Sequence, residues 1–445
     1  MQKESISFII LAAGMGSRMK SKTPKVLHLV AGKPIIFYIL QKILCFSNRI
    51  TIKKIIIVLG HESELVKEKI YSHFPKVSFA IQDKQYGTAH AVLSAKKLLE
   101  NTNGKVVILC GDTPLISSKL ILDLIKLSKT VDLGISVFKA FNPFGYGRII
   151  LDKLNKITSI IEDRDTNKNQ KNINLCNTGI YVSDIKLLFN LLSKVKFNSK
   201  KKEMYLTDIV DIATRENRDI GMSYSKEIES LGINDREDLS MVEKEIQNIL
   251  RIKAMKKGVT LVASETVFFS HDTKIDKDVY IAPNLVFGPG VKIGEGVRIE
   301  SFCHIEGVTI KKNSNVGPFA RLRPGTILEE FSKVGNFVEI KNSKIKKGSK
   351  VNHLSYIGDT EVGNSVNIGA GVITCNYDGV NKNKTIIGPN SFIGSNASLV
   401  APLKLGSNTL VGAGSVITKD IPDNMLAVER NKQVIIKKKK TKKTK

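Results

Sequence analysis

Residues 291–305 read VKIGEGVRIESFCHI, and Ile293, Ile299 and Ile305 stand six apart within it. A six-residue period is neither the 3.6 of a helix nor the 2.0 of a strand in an ordinary hairpin. Traced backward, the series passes through Phe287 and Ile281 to Ile275. Traced forward, it takes one five-residue step to Ile310 and continues by sixes through Val316, Leu322, Leu328 and Val334 to Ile340. Shorter runs follow at Ile345, Val351 and Ile357, at Val362, Ile368 and Thr374, and from Ile387 to Ile417. Glycine commonly comes next, as after Ile293, Val316, Val334, Ile357 and Ile368. This is the hexapeptide signature of a parallel β-helix, with three short strands to a coil and the apolar residue pointing into the prism. The insertion CNYDGVNKNKT, residues 375–385, interrupts the period and is expected to leave the coil as a loop.

Up to about Arg251 the rhythm is different. Strand-like runs at Ile55–Leu59, Val106–Leu109 and Ile135–Phe138 alternate with amphipathic stretches at Ser63–Ser72 and Thr88–Glu100. Such alternation predicts a mostly parallel sheet with helices on both faces and ligands beyond the carboxyl ends of its strands. A helical stretch over Asp235–Lys257 then joins the halves. The expected organisation is an α/β domain over 1–234, a helical linker over 235–257, a β-helix over 258–430 and a basic, disordered tail over 431–445.

Length supports more than one domain: the chain has 445 residues, 42% of them hydrophobic, enough for ordinary globular cores. No apolar run is long enough to span a bilayer, and no secretion signal is read before Ile6. Five cysteines, Cys45, Cys110, Cys176, Cys303 and Cys375, are scattered without C-x-x-C spacing, which favours reduced cytosolic thiols over disulfides or zinc. The net charge is +27, partly from the tail KKKKTKKTK. It is read first as a lysine-rich chain with a solvated extension and second as attraction to anions. No motif of sequence-specific nucleic-acid binding accompanies it.

The first apolar run ends in LAAGMGSRMK, residues 11–20. Gly14 and Gly16 fit half of a dinucleotide fingerprint, but Met19 stands where the third glycine belongs, and no Walker lysine follows. What remains is a glycine turn whose backbone N–H groups can hold phosphate oxygens, with Arg18 and Lys25 to neutralise charge. IQDKQYGTAHA supplies Gln82, Gly87 and Thr88. ILCGDTPLI ends a strand in Asp112, a hard oxygen donor suited to Mg²⁺. GYGRI, IIEDRD and CNTGIY add Gly147, Glu162 and Asn177. In the β-helix, His353 is the only histidine after His304, with Tyr356, Asn367, Asn376 and Tyr377 in neighbouring coils or the expelled loop.

Taken together, LAAGMGSRM with Pro24-Lys25, QDKQYGT, GDTPL, GYGR, NTG and GPFARLRPG resemble the bacterial bifunctional enzymes of UDP-N-acetylglucosamine synthesis. That family joins N-acetylglucosamine-1-phosphate uridyltransferase to glucosamine-1-phosphate N-acetyltransferase. The resemblance covers nearly the whole chain except the basic tail. It implies a Rossmann-like nucleotidyltransferase domain followed by a left-handed parallel β-helix. It also implies a cytoplasmic homotrimer with acyl-CoA sites between subunits, small-molecule substrates, no specific nucleic acid, no membrane insertion, and a product that feeds cell-wall synthesis. At the uridyltransferase site it matches Leu11, Ala12, Ala13, Gly14 and Lys25 to the nucleotide phosphates, and Gln82, Gly87 and Thr88 to uracil. Cys110 and Gly111 precede Asp112, which with Asn234 matches the magnesium ligands; Gly147, Glu162 and Asn177 match the amino-sugar contacts. Cys110 departs from the tyrosine expected there, and weaker substrate binding is expected from that change. Arg18 and Lys25 are expected to stabilise the charge that builds on the leaving pyrophosphate of UTP.

At the acetyltransferase site the resemblance makes His353 the proton acceptor, a role suited to imidazole because a protonated amine cannot attack a thioester. Arg323 and Lys341 match the sugar-phosphate contacts, and Tyr356 and Asn367 the sugar contacts. Ala370, Asn376, Tyr377, Ser395, Ala413 and Arg430 match acetyl-CoA positions. The rival expectation is a nucleotidyltransferase alone, with the β-helix as a non-catalytic scaffold.

Overall fold

The computed structural model describes residues 4–60, 63–198 and 203–438. Its contacts divide the chain into two compact units between Ile246 and Gln247, inside the helix Arg236–Lys256.

The first unit is built on a sheet in the order Ile220–Tyr224, Leu133–Lys139, Leu175–Asp184, Lys105–Cys110, Ser5–Ala12, Thr51–Leu59, Ser78–Ile81. The central strand Ser5–Ala12 runs parallel to both neighbours, while Leu175–Asp184 runs antiparallel to both of its own. Alternate side chains of the central strand feed two cores. Phe8 and Ile10 pack with Ile36, Leu40 and Leu120 on one side, and Ile9 packs with Ile56, Val92 and Leu188 on the other. A strand buried on both faces reads as a nearly continuous apolar run, as FIILA, residues 8–12, does here. Helix starts are set by caps: Ser117 Oγ accepts from Leu120 N at 3.1 Å, and Asp184 Oδ1 accepts from Lys186 N at 2.9 Å. The amphipathic stretch expected over Thr88–Glu100 forms two helices, Thr88–Ser94 and Lys96–Leu99, broken at Ala95.

The second unit is a left-handed parallel β-helix with three faces. Ten short strands stack on the first face, nine on the second and eight on the third. The step between stacked strands explains the sequence period. Ile281 pairs with Ile299 across three six-residue steps, whereas Ile293 pairs with Ile310 because a five-residue step shortens that coil. The inward residues form one buried column per face, as in Val316, Val334, Val351 and Ile368. The coil begins ahead of the period, with Thr260–Leu261 and Val267–Phe268 already on the first two faces. Gln247 closes this open end, its amide donating to Phe269 O at 2.7 Å and accepting from Phe269 N at 2.8 Å. Thr374, the one polar member of the stripe, is fully buried, and its hydroxyl accepts from Gly358 N at 2.8 Å. The insertion after it leaves the coil as expected, with an isolated bridge between Tyr377 and Lys382. Residues 428–438 carry neither helix nor strand; the rest of the expected disordered tail, 439–445, lies outside the described residues. Among the described residues no helix is long and apolar enough to cross a membrane.

Candidate functional site

In the first unit, the strands ending at Ala12 and Cys110 run side by side, and Gly111 N donates to Leu11 O at 2.8 Å. Their carboxyl ends therefore open on the same side. A cavity of about 310 Å³ lies there, lined by Leu11, Ala12, Ala13 and Gly14 from one loop and Cys110 and Asp112 from the other. Lys25, Gln82, Gly87 and Thr88 complete its walls. A neighbouring cavity of about 200 Å³ shares Leu11, Thr88 and Cys110 and adds Gly147, Glu162 and Asn177. Residues from seven separate segments thus line two cavities with walls in common.

The charged end of the first cavity is specific. Lys25 Nζ lies 2.5 Å from Asp112 Oδ2 and 3.5 Å from Asn234 Oδ1, so one ammonium is held by both expected metal ligands. Two hard oxygens converging on a positive charge suit Mg²⁺, whose remaining positions are commonly filled by water and substrate phosphates. Arg18 is placed differently. It is exposed on the short turn Ser17–Met19, which is flanked by Gly16 and Lys20 at positive φ, and lines neither cavity.

At the other end, Gln82 is buried and donates to Gly87 O at 3.0 Å. Gly87 has φ +94, and a Cβ there would stand 2.5 Å from Met204 O, so only glycine fits. Glu162 accepts from Thr207 Oγ1 at 2.9 Å, and burial raises its pKa. Asn177 donates to Tyr181 Oη at 2.7 Å and accepts from Gly179 N at 3.0 Å. The Cys110 thiol is pushed up to about 12, first by burial and then by the Asp112 charge, so it is neutral at ordinary pH. Two further residues line the first cavity. Gln85 ties down the glycine loop by donating to Ala13 O at 2.7 Å; it is the second glutamine of the QDKQYGT motif and was legible there. Glu203, paired with Arg164 at 2.7 Å, has no motif to mark it.

In the second unit, His353 is exposed at the corner between the first and second faces. Its Nδ1 lies 2.5 Å from Asn336 Oδ1, one coil away in register. With the amide oxygen facing the ring, this contact suits an Nδ1–H donor and directs Nε2 away from Asn336. Ala370, Ser395 and Ala413 follow at the same corner in successive coils, as the bonds Gly371 N to His353 O, Asn396 N to Ala370 O and Gly414 N to Ser395 O record. Arg430 lies beyond the last strand, its Cδ 3.9 Å from where a Gly414 Cβ would stand.

Across the second face lies a cluster of charged side chains. Arg323 pairs with Glu339 at 2.8 Å, and Lys341 Nζ stands 4.0 Å from Asp359 Oδ2. Burial works against the Asp359 charge. Hydrogen bonds from Asn342 at 2.6 Å and Asn376 at 2.5 Å, with nearby ammonium groups, still hold it below the usual carboxylate range. Lys382 of the expelled loop stands against Lys341 and lowers its pKa. Lys382, Glu339, Asp359 and Asn336 were not singled out from the sequence, because their partnerships run between coils. The Asn376 side chain is buried and engaged by Asp359, while Tyr377 is exposed on the loop. Tyr356 is on the second face and Asn367 on the first, around the corner.

Comparison with known proteins follows the same division. Residues 7–227 match the nucleotidyl transferase family model, and residues 272–307 and 384–419 match the bacterial transferase hexapeptide (six repeats) model. The chain is 44% identical to Bifunctional protein GlmU of Zymomonas mobilis over 96% of its length and 95% of that protein. It is 43% identical to Bifunctional protein GlmU of Paramagnetospirillum magneticum over 98% and 96%. To the protein of that name from Thermoanaerobacter pseudethanolicus it is 41% identical over 97% and 96%.

Proposed function

We infer the roles of individual residues from the premise that this chain belongs to the family of bifunctional GlmU proteins. It acetylates glucosamine-1-phosphate with acetyl-CoA, and then transfers the uridylyl group of UTP to the N-acetylglucosamine-1-phosphate formed, releasing pyrophosphate.

For uridylyl transfer, the single observation that carries the reading is the convergence of Lys25, Asp112 and Asn234 at the end of a cavity walled by the glycine loop. UTP takes the cavity with its phosphates on the backbone of Leu11–Gly14 and its base toward Gln82, Gly87 and Thr88. The amino sugar takes the adjoining space at Gly147, Glu162 and Asn177, with Cys110 and Gly111 between the two. A sugar phosphate is already a nucleophile, so no general base is needed. Its oxygen attacks the α-phosphorus in line and pyrophosphate leaves. Lys25 and Arg18 offset the charge that grows on the leaving group, Arg18 reaching in from its exposed turn. Asp112 and Asn234 would hold Mg²⁺, which supplies charge neutralisation of the phosphates when bound.

For acetyl transfer, Arg323, Lys341 and Lys382 hold the phosphate dianion of glucosamine-1-phosphate, and Tyr356 and Asn367 the sugar. His353 Nε2 takes the proton from the ammonium, freeing the amine to attack the thioester; CoA leaves as the thiol. Ala370, Ser395, Ala413 and Arg430 line the run along which acetyl-CoA lies. Tyr377 meets it from the loop, and Asn376 holds the base of that loop. The hexapeptide repeats support a homotrimer. Five free cysteines and water-soluble substrates support a cytoplasmic enzyme with no nucleic-acid partner.

The test is a coupled assay with glucosamine-1-phosphate, acetyl-CoA, UTP and Mg²⁺, following free thiol and pyrophosphate separately. Both are expected. Pyrophosphate only from supplied N-acetylglucosamine-1-phosphate, with no thiol, would leave a uridyltransferase on a scaffold.

A further inference from the structure

In its middle coils the third face of the β-helix pairs lysine with acid. Lys311 meets Glu329 at 3.5 Å, Lys344 meets the same carboxylate at 3.2 Å, and Lys346 meets Glu361 at 2.6 Å. At the corner that follows this face, Lys277 pairs with Glu295 and Lys312 with Glu330. The opening coils break the pattern. Lys274 and Lys292 are stacked in register on the strands Lys274–Ile275 and Lys292–Ile293, and among the described residues neither has a carboxylate within ion-pair distance. Like charges placed opposite one another on neighbouring strands repel. Lys253, in the last turn of the helix Arg236–Lys256, and Lys257, just past its end, are unpaired in the same sense.

Three of these four lysines line one cavity. It has a volume of about 150 Å³ and lies wholly in the second unit, between the end of that helix and the segment 269–275. Leu250, Ala254, Phe269 and Ile275 give it apolar walls, Ser270, His271 and Thr273 add polar groups, and no acid lines it. Lys253, Lys257 and Lys274 are its exposed lining residues, so the cations stand at the mouth and the hydroxyls deeper. Thr273 Oγ1 is buried without a hydrogen-bond partner, a state that few buried polar groups keep. The neighbouring Asp272 is already engaged, accepting from Ser270 Oγ at 2.7 Å and from Gly290 N at 2.8 Å. The walls are fixed in place by the two bonds between Gln247 and Phe269 and by the Phe269 ring stacked on Phe287 at 5.2 Å. A lysine near a helix C-terminus also offsets the helix dipole, which is reason enough for Lys253. It explains neither Lys274, which is on a strand, nor the orphaned hydroxyl.

We propose that this cavity is a binding site for a small polyphosphate anion, held by Lys253, Lys257 and Lys274 and by a hydrogen bond from Thr273. Three ammonium groups at one mouth suit a ligand with more than one negative charge, and phosphate oxygens accept from ammonium and hydroxyl alike. Apolar walls lower the local dielectric and strengthen each of these contacts. None of the lining residues belongs to the two proposed substrate sites, so this site is additional to both. Two sources carry the required chemistry: free pyrophosphate, which uridylyl transfer releases, and the diphosphate of a nucleotide.

The experiment treats the full chain, without Mg²⁺, with a trace of acetic anhydride and reads acetylation lysine by lysine in a mass spectrometer. Pyrophosphate is the probe. At about ten times its Kd, acetylation of Lys253, Lys257 and Lys274 is expected to fall about tenfold. Lys312 and Lys346, each held in an ion pair, should not change. Lys25 and Lys341 report the proposed substrate sites in the same spectrum, so occupancy there is read separately. Thr273→Val is expected to raise the Kd about tenfold, the scale of a hydrogen bond to a charged group. In the double variant Lys253→Ala, Lys274→Ala, the protection of Lys257 should disappear. Lys253→Ala alone, which alters no strand residue, should also weaken binding. Unchanged pyrophosphate and thiol release in these variants shows that they are folded. ADP in place of pyrophosphate separates the sources: protection by both assigns the site to a diphosphate wherever it is carried, by pyrophosphate alone to the free anion, and by ADP alone to a nucleotide. Absence of protection by either at millimolar concentration overturns the proposal. So does equal protection of Lys312 and Lys346, which is charge screening only, and so does parental binding in Thr273→Val or in the double variant.

Discussion

In the acetyl transfer proposed above, the Asn336 amide holds His353 Nδ1 and leaves Nε2 as the nitrogen to accept the proton. Asn336→Ala frees Nδ1 and lets the tautomers exchange. It is expected to lower kcat for thiol release about tenfold, a smaller effect than the ~10²–10⁴-fold expected for His353→Ala. Pyrophosphate release should not change; equal kcat in Asn336→Ala and the parent would remove the role. Glu162 offers a test by pH. Burial raises its pKa, so as pH falls it takes up a proton before an ordinary glutamate does. If its ionised form accepts from a sugar hydroxyl, KM for N-acetylglucosamine-1-phosphate rises on the acid side, starting above the usual carboxylate range. Glu162→Gln should have a raised KM at neutral pH and none of that acid dependence; a parental profile in the variant would exclude Glu162 as the titrating group. Single residues were legible where a motif lies contiguous in the chain, as for Gly87-Thr88 and Asp112. Asn336 was not, because its partner is seventeen residues away and only the coil makes them neighbours.

Elements follow simpler rules, and the six-residue period transmits them almost without loss: every inward position from Ile281 to Val411 named by the spacing is buried. The exception in type is Thr374, and the structure supplies its reason. Its hydroxyl satisfies Gly358 N in a fully buried place, where valine would have the right shape and leave that N–H orphaned. Thr374→Val is therefore expected to destabilise the second unit by about 1–3 kcal/mol, although it makes the stripe uniformly apolar; an unchanged melting temperature for that unit would contradict this. In the α/β unit, the strand pair carrying Gly147 and Glu162 is pinned by Arg148. That side chain is 2% exposed, donates to the Tyr146 carbonyl and pairs with Asp163 at 2.7 Å. Arg148→Met leaves the carboxylate without its cation, at about 3 kcal/mol. Because Gly147 and Glu162 adjoin the pinned residues, KM for the sugar phosphate should rise while KM for UTP holds. The sequence marked GYGR as a motif without showing which member contacts substrate and which holds the strand, since burial of Arg148 depends on the sheet around it. The two helices in place of one at Thr88–Glu100 were hidden for a related reason, as the apolar spacing continues through the break at Ala95.

At the scale of the whole molecule, two units carry two chemistries with different electrostatic demands. The division itself was visible as a change of rhythm, whereas a boundary inside the helix Arg236–Lys256 was not, since nothing in an amphipathic helix marks where one core ends. Uridylyl transfer brings two phosphorylated anions together and expels a third, so its barrier is dominated by negative charge, and Lys25 alone cannot serve both Asp112 and the phosphates. Acetyl transfer moves a neutral acyl group to a neutral amine, and its requirement is a base. Chelation should therefore separate the activities. With excess EDTA, pyrophosphate release is expected to fall by at least about 10²-fold, the scale of losing a principal electrostatic stabiliser, while thiol release from glucosamine-1-phosphate and acetyl-CoA continues. Asp112→Asn should reproduce the loss without chelator and should not be rescued by added Mg²⁺. Equal inhibition of both activities by EDTA would show that the acetyl-transfer half depends on a cation too, and the assignment of proton removal to His353 alone would have to be withdrawn.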